Sequence, residues 1–198
     1  MTTLTPSRPA AVDVGALQTL LLGRWAPLRR ETRELIAEHP ELHKVDGLTM
    51  AEHRERVLGQ LRWLAEHGDV RRAFPAEVGG SSDFGGFLAR FEELVFADPS
   101  LQIKSGVQWG LFASAILHRG TEGHHRRLLP GAVALEVPGV FAMTETGHGS
   151  DVASLATTAT YDSAAEEFVL NYPHRAAWKD YLGNAALHGT AAVVFAQL

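Results

Sequence analysis

The sequence predicts an α+β protein, in which an all-helical first part is followed by a small antiparallel β-domain. Three observations support this fold class. Apolar residues recur three or four positions apart through much of residues 13–138, which is the spacing of a buried helix face. After residue 139, segments rich in β-branched and aromatic residues indicate strands. The charge also changes there, because residues 139–198 hold only two of the 18 Lys and Arg but six of the 23 Asp and Glu.

The first helices are predicted from leucine spacing and capping residues. Apolar positions over residues 17–36 have helical spacing, with Asp13 as a cap and Pro27 separating or kinking two segments. Residues 49–52, Thr-Met-Ala-Glu, form a capping box, in which the hydroxyl and the carboxylate satisfy free amides of a first turn. We expect this helix to end at Gly68.

Three further helices complete the first part. A glycine-rich turn at residues 79–82 leads into a helix over residues 87–95. A long apolar helix is expected over residues 100–120, and Thr121 can cap a last short helix that stops near Pro130. We expect the aromatic side chains on these helix faces to pack in the core.

The second part contains a predicted hairpin and an apolar strand. Residues 156–161 and 168–172 are joined by the turn Asp162-Ser163-Ala164-Ala165 and predict a β-hairpin. Residues 191–196 are continuously apolar, which is typical of a strand buried on both faces or at the centre of a sheet. Such a strand at the edge of a small sheet would expose apolar side chains and unpaired backbone groups. We therefore expect more of a parent protein or another subunit to cover it.

Composition excludes several classes of protein. The absence of cysteine removes disulfides, thiolate metal sites and thiol nucleophiles, and favours a cytoplasmic location. The apolar runs are far shorter than the roughly 20 residues that span a bilayer. Residues 1–12 lack the apolar core of a signal peptide and are expected to form a flexible arm. A formal charge of −5 without a basic stripe argues against nucleic-acid binding.

Generic motifs give neither a catalytic nor a metal site. Residues 147–149, Gly-His-Gly, begin like a dinucleotide fingerprint, but the third glycine is absent and strands rather than a helix follow. His124 and His125 are adjacent, so in a helix they point about 100° apart and do not chelate a metal. Ser150 lacks the surroundings of a nucleophile elbow.

One segment, residues 141–151, has the composition of a ligand-binding loop. It follows a short apolar strand with Thr144 and Thr146, two glycines and Ser150, in a region with few cations. Glycines and hydroxyls bring backbone amides close to a flat polar ligand. Composition alone also allows an ordinary glycine-rich connection.

Residues 143–151, Met-Thr-Glu-Thr-Gly-His-Gly-Ser-Asp, resemble the flavin-binding signature of acyl-CoA oxidases and, more loosely, of acyl-CoA dehydrogenases. Further matches follow the order of that family, at residues 74–80, 120–122, 179–186 and 193–198. The resemblance covers about residues 45–198. It implies a helical domain over residues 13–138, an incomplete middle β-domain over residues 139–198, and a helical C-terminal part that is absent here.

The resemblance implies FAD contacts from six residues: Met143, Thr144, Gly149, Ser150, Tyr181 and Gly183. Thr144 would hydrogen-bond the flavin ring, and Ser150 would also lie near the CoA side of the substrate. Dehydrogenases usually have Trp and Thr where this chain has Tyr181 and Gly183. The glycine is typical of oxidases, whereas the tyrosine departs from the dehydrogenase pattern.

The implied reaction is α,β-desaturation of a fatty acyl-CoA. A carboxylate removes the α-proton, the β-hydrogen leaves as hydride to the flavin, and O₂ reoxidises the flavin to give H₂O₂. The family's catalytic glutamate lies in the C-terminal part, so no catalytic residue and no turnover are predicted for this chain alone. Glu145 is expected to organise the loop, and the full-length enzyme to form a homodimer.

Two alternatives stay open at this point. The parent enzyme could be an acyl-CoA dehydrogenase that passes electrons to an electron-transfer flavoprotein. The chain could also be a non-catalytic partner of a subunit that supplies the catalytic part.

Overall fold

The computed structural model describes residues 11–198, in which helices precede strands. The helices are α1 (Val14–Leu22), α2 (Ala26–Glu38), α3 (Met50–His67), α4 (Phe84–Glu93), α5 (Pro99–Ser105), α6 (Ser114–Arg119) and α7 (Glu122–Val133). The strands are β1 (Gly139–Ala142), β2 (Thr158–Asp162), β3 (Glu167–Asn171) and β4 (Ala191–Val194). The predicted α+β class is confirmed. The predicted arm over residues 1–12 lies outside the described residues, apart from Ala11 and Val12.

Local capping signals have the predicted geometry. The Asp13 carboxylate accepts a hydrogen bond from Ala16 N at 2.9 Å. Thr49 N donates to the Glu52 carboxylate at 2.8 Å, and Glu52 N donates to the Thr49 hydroxyl at 3.3 Å. The break between α1 and α2 falls at Gly23, whose φ is 65°, rather than at Pro27. Pro27 lies in the first turn of α2, where its missing N–H costs no helical hydrogen bond.

The long helix predicted over residues 100–120 is not a uniform α-helix. It begins one residue earlier, at Pro99, and residues Gly106–Ala113 between α5 and α6 are π-helical. At the end of this stretch the Ser114 hydroxyl donates to Trp109 O, five residues back, at 2.8 Å. π-helical turns are rare in proteins, and those that occur often lie at functional sites.

The last helix, α7, extends further than predicted. It continues through Pro130 to Val133, although a proline inside a helix removes one backbone hydrogen bond. Its first turn is capped as expected at Thr121, whose N–H donates to His124 Nδ1 at 3.1 Å. The histidine ring takes the place that glutamate has in the usual capping box.

The two strand pairs differ in direction. β2 and β3 form the predicted antiparallel hairpin, and the Asp162 carboxylate accepts from Ala164 N in its turn at 2.9 Å. β1 and β4 are parallel, with Gly139 opposite Ala191, so the prediction of an antiparallel domain is wrong for this pair. Residues 143–190 carry the chain back to the same end of the sheet before β4 begins, as parallel pairing requires.

β4 is half-buried except at Ala192 and belongs to a two-stranded sheet within residues 11–198, so its cover by a parent protein or another subunit stays a prediction. Ala191 and Val193 pack against the helical core, whereas Ala192, on the other face of the strand, is exposed. Successive residues of a strand point to opposite faces, and on the second face Val194 is half-buried while Ala192 is exposed.

The strands join the helical part at β1. Gln108 is fully buried; its amide donates to Ala132 O at 2.8 Å and Val137 O at 3.0 Å, and its oxygen accepts from Gly139 N at 2.8 Å. A Cβ at Gly139 would lie 1.9 Å from the Phe112 ring, so a glycine is required there. The core itself is helical and includes the fully buried Trp109. No helix within residues 11–198 is long and apolar enough to cross a membrane.

Candidate functional site

The loop after β1 is anchored by the buried carboxylate of Glu145, which is 2% exposed. It accepts hydrogen bonds from Ala156 N and Thr157 N, each at 3.0 Å, and from Lys179 Nζ at 3.1 Å. The Thr157 hydroxyl donates to it as well. One side chain therefore ties the loop over residues 143–150 to the start of β2 and to the segment over residues 176–183.

These contacts decide the protonation state of Glu145. Burial is the largest single influence and would raise its pKa, but the hydrogen bonds from Ala156, Thr157 and Lys179 together lower the pKa from 4.5 to about 2. A carboxylate with so low a pKa, whose oxygens already accept four hydrogen bonds, is a poor proton acceptor. The geometry agrees with the predicted role in organising the loop.

The structure places the two predicted flavin segments side by side. The Thr144 hydroxyl donates at 2.6 Å to the backbone oxygen of Asp180, which lies 36 residues further along the chain. The Lys179 ammonium donates to Met143 O at 3.0 Å as well as to Glu145. Because the hydroxyl proton of Thr144 is already used, a ligand can reach this residue at the oxygen lone pair or at the backbone.

Gly149 and Ser150 form the exposed end of the first segment. A Cβ at Gly149 would meet no atom within 4 Å, so the space beside this backbone is open. Within residues 11–198, the backbone N–H groups of Gly149, Ser150 and Asp151 donate to no protein acceptor. Exposed amides that follow one another in a turn are suited to polar and anionic ligands.

Tyr181 presents an aromatic ring that is 89% exposed, from a backbone with φ of 56°. Asn184 also has a positive φ, of 66°. Such conformations are uncommon for residues other than glycine and cluster at functional sites. Trp178, in the same segment, is also exposed.

Gly183 packs against the π-helical stretch. A Cβ there would be 2.6 Å from a methyl group of Val107, so packing alone requires a small residue. The structure thus brings Met143 and Thr144 to the segment that carries Tyr181, while Gly183 borders the cleft beside α5.

The sequence prediction missed Lys179 as the charged partner of Glu145. A signal was available, because Lys179 and Arg175 are the only Lys or Arg after residue 139. The free N–H groups of Gly149 and Ser150, the open space beside Gly149 and the exposed ring of Tyr181 fit a flat heterocycle with polar edges, such as a flavin.

Comparison with known proteins identifies the class to which this arrangement of helices and strands belongs. The family model described as "Acyl-CoA dehydrogenase, N-terminal domain" matches residues 26–136. The chain belongs to this family.

Several relatives that the chain resembles are acyl-CoA oxidases. Acyl-coenzyme A oxidase 2, peroxisomal, from Arabidopsis thaliana is 34% identical over 192 residues, which cover 97% of this chain and 27% of the relative. The crystal structure of acyl-CoA oxidase 1 from Yarrowia lipolytica gives a TM-score of 0.72 at 28% identity, covering 86% of this chain and 24% of that one. The resemblance seen in the sequence is therefore confirmed, and the chain spans about a quarter of the length of these relatives.

A further structure shows a relative with its cofactor. Acyl-CoA oxidase-2 from Caenorhabditis elegans, bound with FAD, ascaroside-CoA and ATP, has a TM-score of 0.70 and 25% identity, and covers 93% of this chain and 27% of that one.

Proposed function

We propose that this chain forms the N-terminal part of an FAD-dependent acyl-CoA oxidase, which converts fatty acyl-CoA and O₂ into trans-2-enoyl-CoA and H₂O₂. The observation that carries the proposal is the junction of residues 143–150 with residues 176–183 around Glu145. The relatives named acyl-CoA oxidase support this reaction and support an oxidoreductase as the parent protein.

FAD would be held by the six residues of the sequence prediction: Met143, Thr144, Gly149, Ser150, Tyr181 and Gly183. Bound FAD would supply the hydride acceptor of the reaction. The exposed amides at Gly149 and Ser150 would hydrogen-bond polar groups of the ligands, with Ser150 nearest the CoA side. The Tyr181 ring would cover part of a flat ligand face, and Gly183 would let the backbone approach it.

Glu145 and Lys179 would act by holding these residues in place. Their charges are opposite and 3.1 Å apart, so the buried pair keeps the loop shaped without adding net charge beside the ligand. Neither group is free to remove a substrate proton. We therefore propose that the catalytic glutamate lies outside this chain, and acyl-CoA-dependent peroxide formation by the purified chain would contradict this.

The organisation of the parent protein is part of the same proposal. Residues 13–138 would form its helical domain and residues 139–198 part of its middle β-domain. The full enzyme would be a homodimer and would not bind nucleic acid. The lack of cysteine favours the cytoplasm, whereas the Arabidopsis relative is named peroxisomal. Imaging of the tagged protein in its own cells distinguishes the two compartments.

A chimera tests the activity. This chain replaces the matching first quarter of the Arabidopsis relative, and H₂O₂ is measured with a coupled peroxidase after addition of acyl-CoA. We expect one H₂O₂ for each acyl-CoA consumed. A chimera that folds and retains FAD, yet reduces an artificial acceptor without consuming O₂, would favour the dehydrogenase alternative. One that folds, retains FAD and consumes no acyl-CoA would contradict the proposal.

A further inference from the structure

A cleft of about 450 Å³ lies between α3, α5, the π-helical stretch and the segment over residues 182–188. The cleft is open to solvent, and its volume falls in the range of roughly 300–1,000 Å³ that ligand sites have. The lining is mainly apolar, from Ile103, Val107, Leu182 and Leu187, and it also includes Arg54, Lys104 and His188. The cleft therefore combines apolar walls with cationic groups.

Lys104 is half-buried and contacts a histidine rather than a carboxylate. Its Nζ lies 2.7 Å from His188 Nδ1, and His188 Nε2 lies 2.9 Å from the Glu55 carboxylate. In this arrangement the ammonium donates to Nδ1 and the proton on Nε2 is donated to Glu55. Within residues 11–198, no carboxylate oxygen lies within 4 Å of the charged nitrogens of Lys104 or Arg54.

The electrostatics leave Lys104 only partly compensated. Burial, the largest influence, lowers its pKa; Glu55 raises the pKa and Arg54 lowers it. A cation removed from water without a bonded carboxylate is stabilised by any anion that reaches it. An apolar cleft with such a group fits a ligand that has an apolar body and an anionic end.

We propose that this cleft binds an apolar chain that ends in a carboxylate, and that Lys104 contacts the carboxylate. The proposal depends on the shape and lining of the cleft and on the position of Lys104 in it. Gly183, one of the proposed FAD contacts, borders the same cleft. If the proposed function holds, the ligand is an acyl chain with a carboxylate at its far end; this assignment rests on the proposed function.

A titration of the ¹⁵N-labelled 198-residue chain tests the site. Hexanoate supplies an apolar chain with a carboxylate, hexanol supplies the same chain without charge, and CoA supplies phosphates without an acyl chain. We expect hexanoate to shift the amide signals of Ile103, Lys104 and His188, and to bind about tenfold more tightly than hexanol. Equal binding of hexanol and hexanoate, or no shifts at these residues, would overturn the proposal. Shifts caused by CoA and not by hexanoate would assign the cations to phosphate and overturn it as well.

Variants place the carboxylate at Lys104. Lys104→Met keeps a long side chain without charge, and it is expected to lose about tenfold in hexanoate affinity while hexanol binding is unchanged. Arg127→Met, at an exposed cation outside the cleft, should leave both unchanged. Unaltered hexanoate binding by Lys104→Met would refute the assignment. If that variant does not fold, the comparison of hexanoate with hexanol still decides the proposal. Neither measurement uses FAD or turnover, so a failure of the carboxylate-site proposal is distinct from a failure of the proposed function.

Discussion

Replacing Glu145 with glutamine removes a buried negative charge and keeps the size of the side chain. In the folded protein this carboxylate accepts hydrogen bonds from Ala156, Thr157 and Lys179. The NH₂ group of a glutamine cannot accept the hydrogen bonds that one carboxylate oxygen accepts, and the Lys179 ammonium loses its counter-charge. We expect this to weaken the junction of the loop over residues 143–150 with residues 156–157 and 176–183, and so to lower the stability of the folded chain.

The magnitude follows from the pKa of Glu145. A carboxyl group with a pKa of 4.5 in the unfolded chain and about 2 in the folded chain contributes about 3 kcal/mol of stability at pH 7. Because folding lowers the pKa, this contribution is present in full above about pH 4.5 and is lost as the pH falls towards 2. At pH 3 less than half of it remains.

Urea unfolding of the 198-residue chain at pH 7 and pH 3, followed by tryptophan fluorescence, measures this difference. Glu145→Gln should lower the free energy of unfolding by about 3 kcal/mol at pH 7 and by less than half of that at pH 3. The control is Glu167→Gln on the exposed strand β3, which should change stability by less than about 0.5 kcal/mol. A loss that is the same at both pH values would refute the electrostatic reasoning.

Three other substitutions test the packing and capping. Gly139→Ala drives a Cβ into the Phe112 ring and should lower the free energy of unfolding by about 1–3 kcal/mol. The control Gly59→Ala, in open space on α3, should raise it by about 0.5–1 kcal/mol. Urea unfolding compares the two variants, and equal effects would contradict the clash. Gln108→Leu should lower the free energy of unfolding by about 3 kcal/mol and speed hydrogen exchange at the Gly139 N–H. Unchanged exchange at that N–H would contradict the role of Gln108. Thr49→Ala should cost about 1 kcal/mol in thermal unfolding, and an unchanged midpoint would argue against the capping box.

The predictions that agree with the structure depend on contacts between near neighbours in sequence. The Asp13 cap, the Thr49 capping box and the turn at Asp162 each join groups two or three residues apart. Their geometry is fixed by short stretches of chain, so residue type and spacing were sufficient.

The features that were missed depend on distant parts of the chain. Glu145 and Lys179 are 34 residues apart, and Gln108 is 31 residues from Gly139. The parallel pairing of β1 with β4 likewise depends on the path of residues 143–190. The π-helical stretch is apolar like its surroundings, so periodicity did not separate it from an α-helix.

The central claim is that residues 143–150 and 176–183 form one FAD site, and NMR titration of the ¹⁵N-labelled chain with FAD tests it most directly. This method detects weak binding, so it does not require the rest of the parent protein. We predict saturable shifts at the amides of Thr144, Gly149, Ser150 and Gly183, with α3 unaffected. The absence of shifts in both segments at millimolar FAD, or shifts confined to other parts of the chain, would contradict the claim.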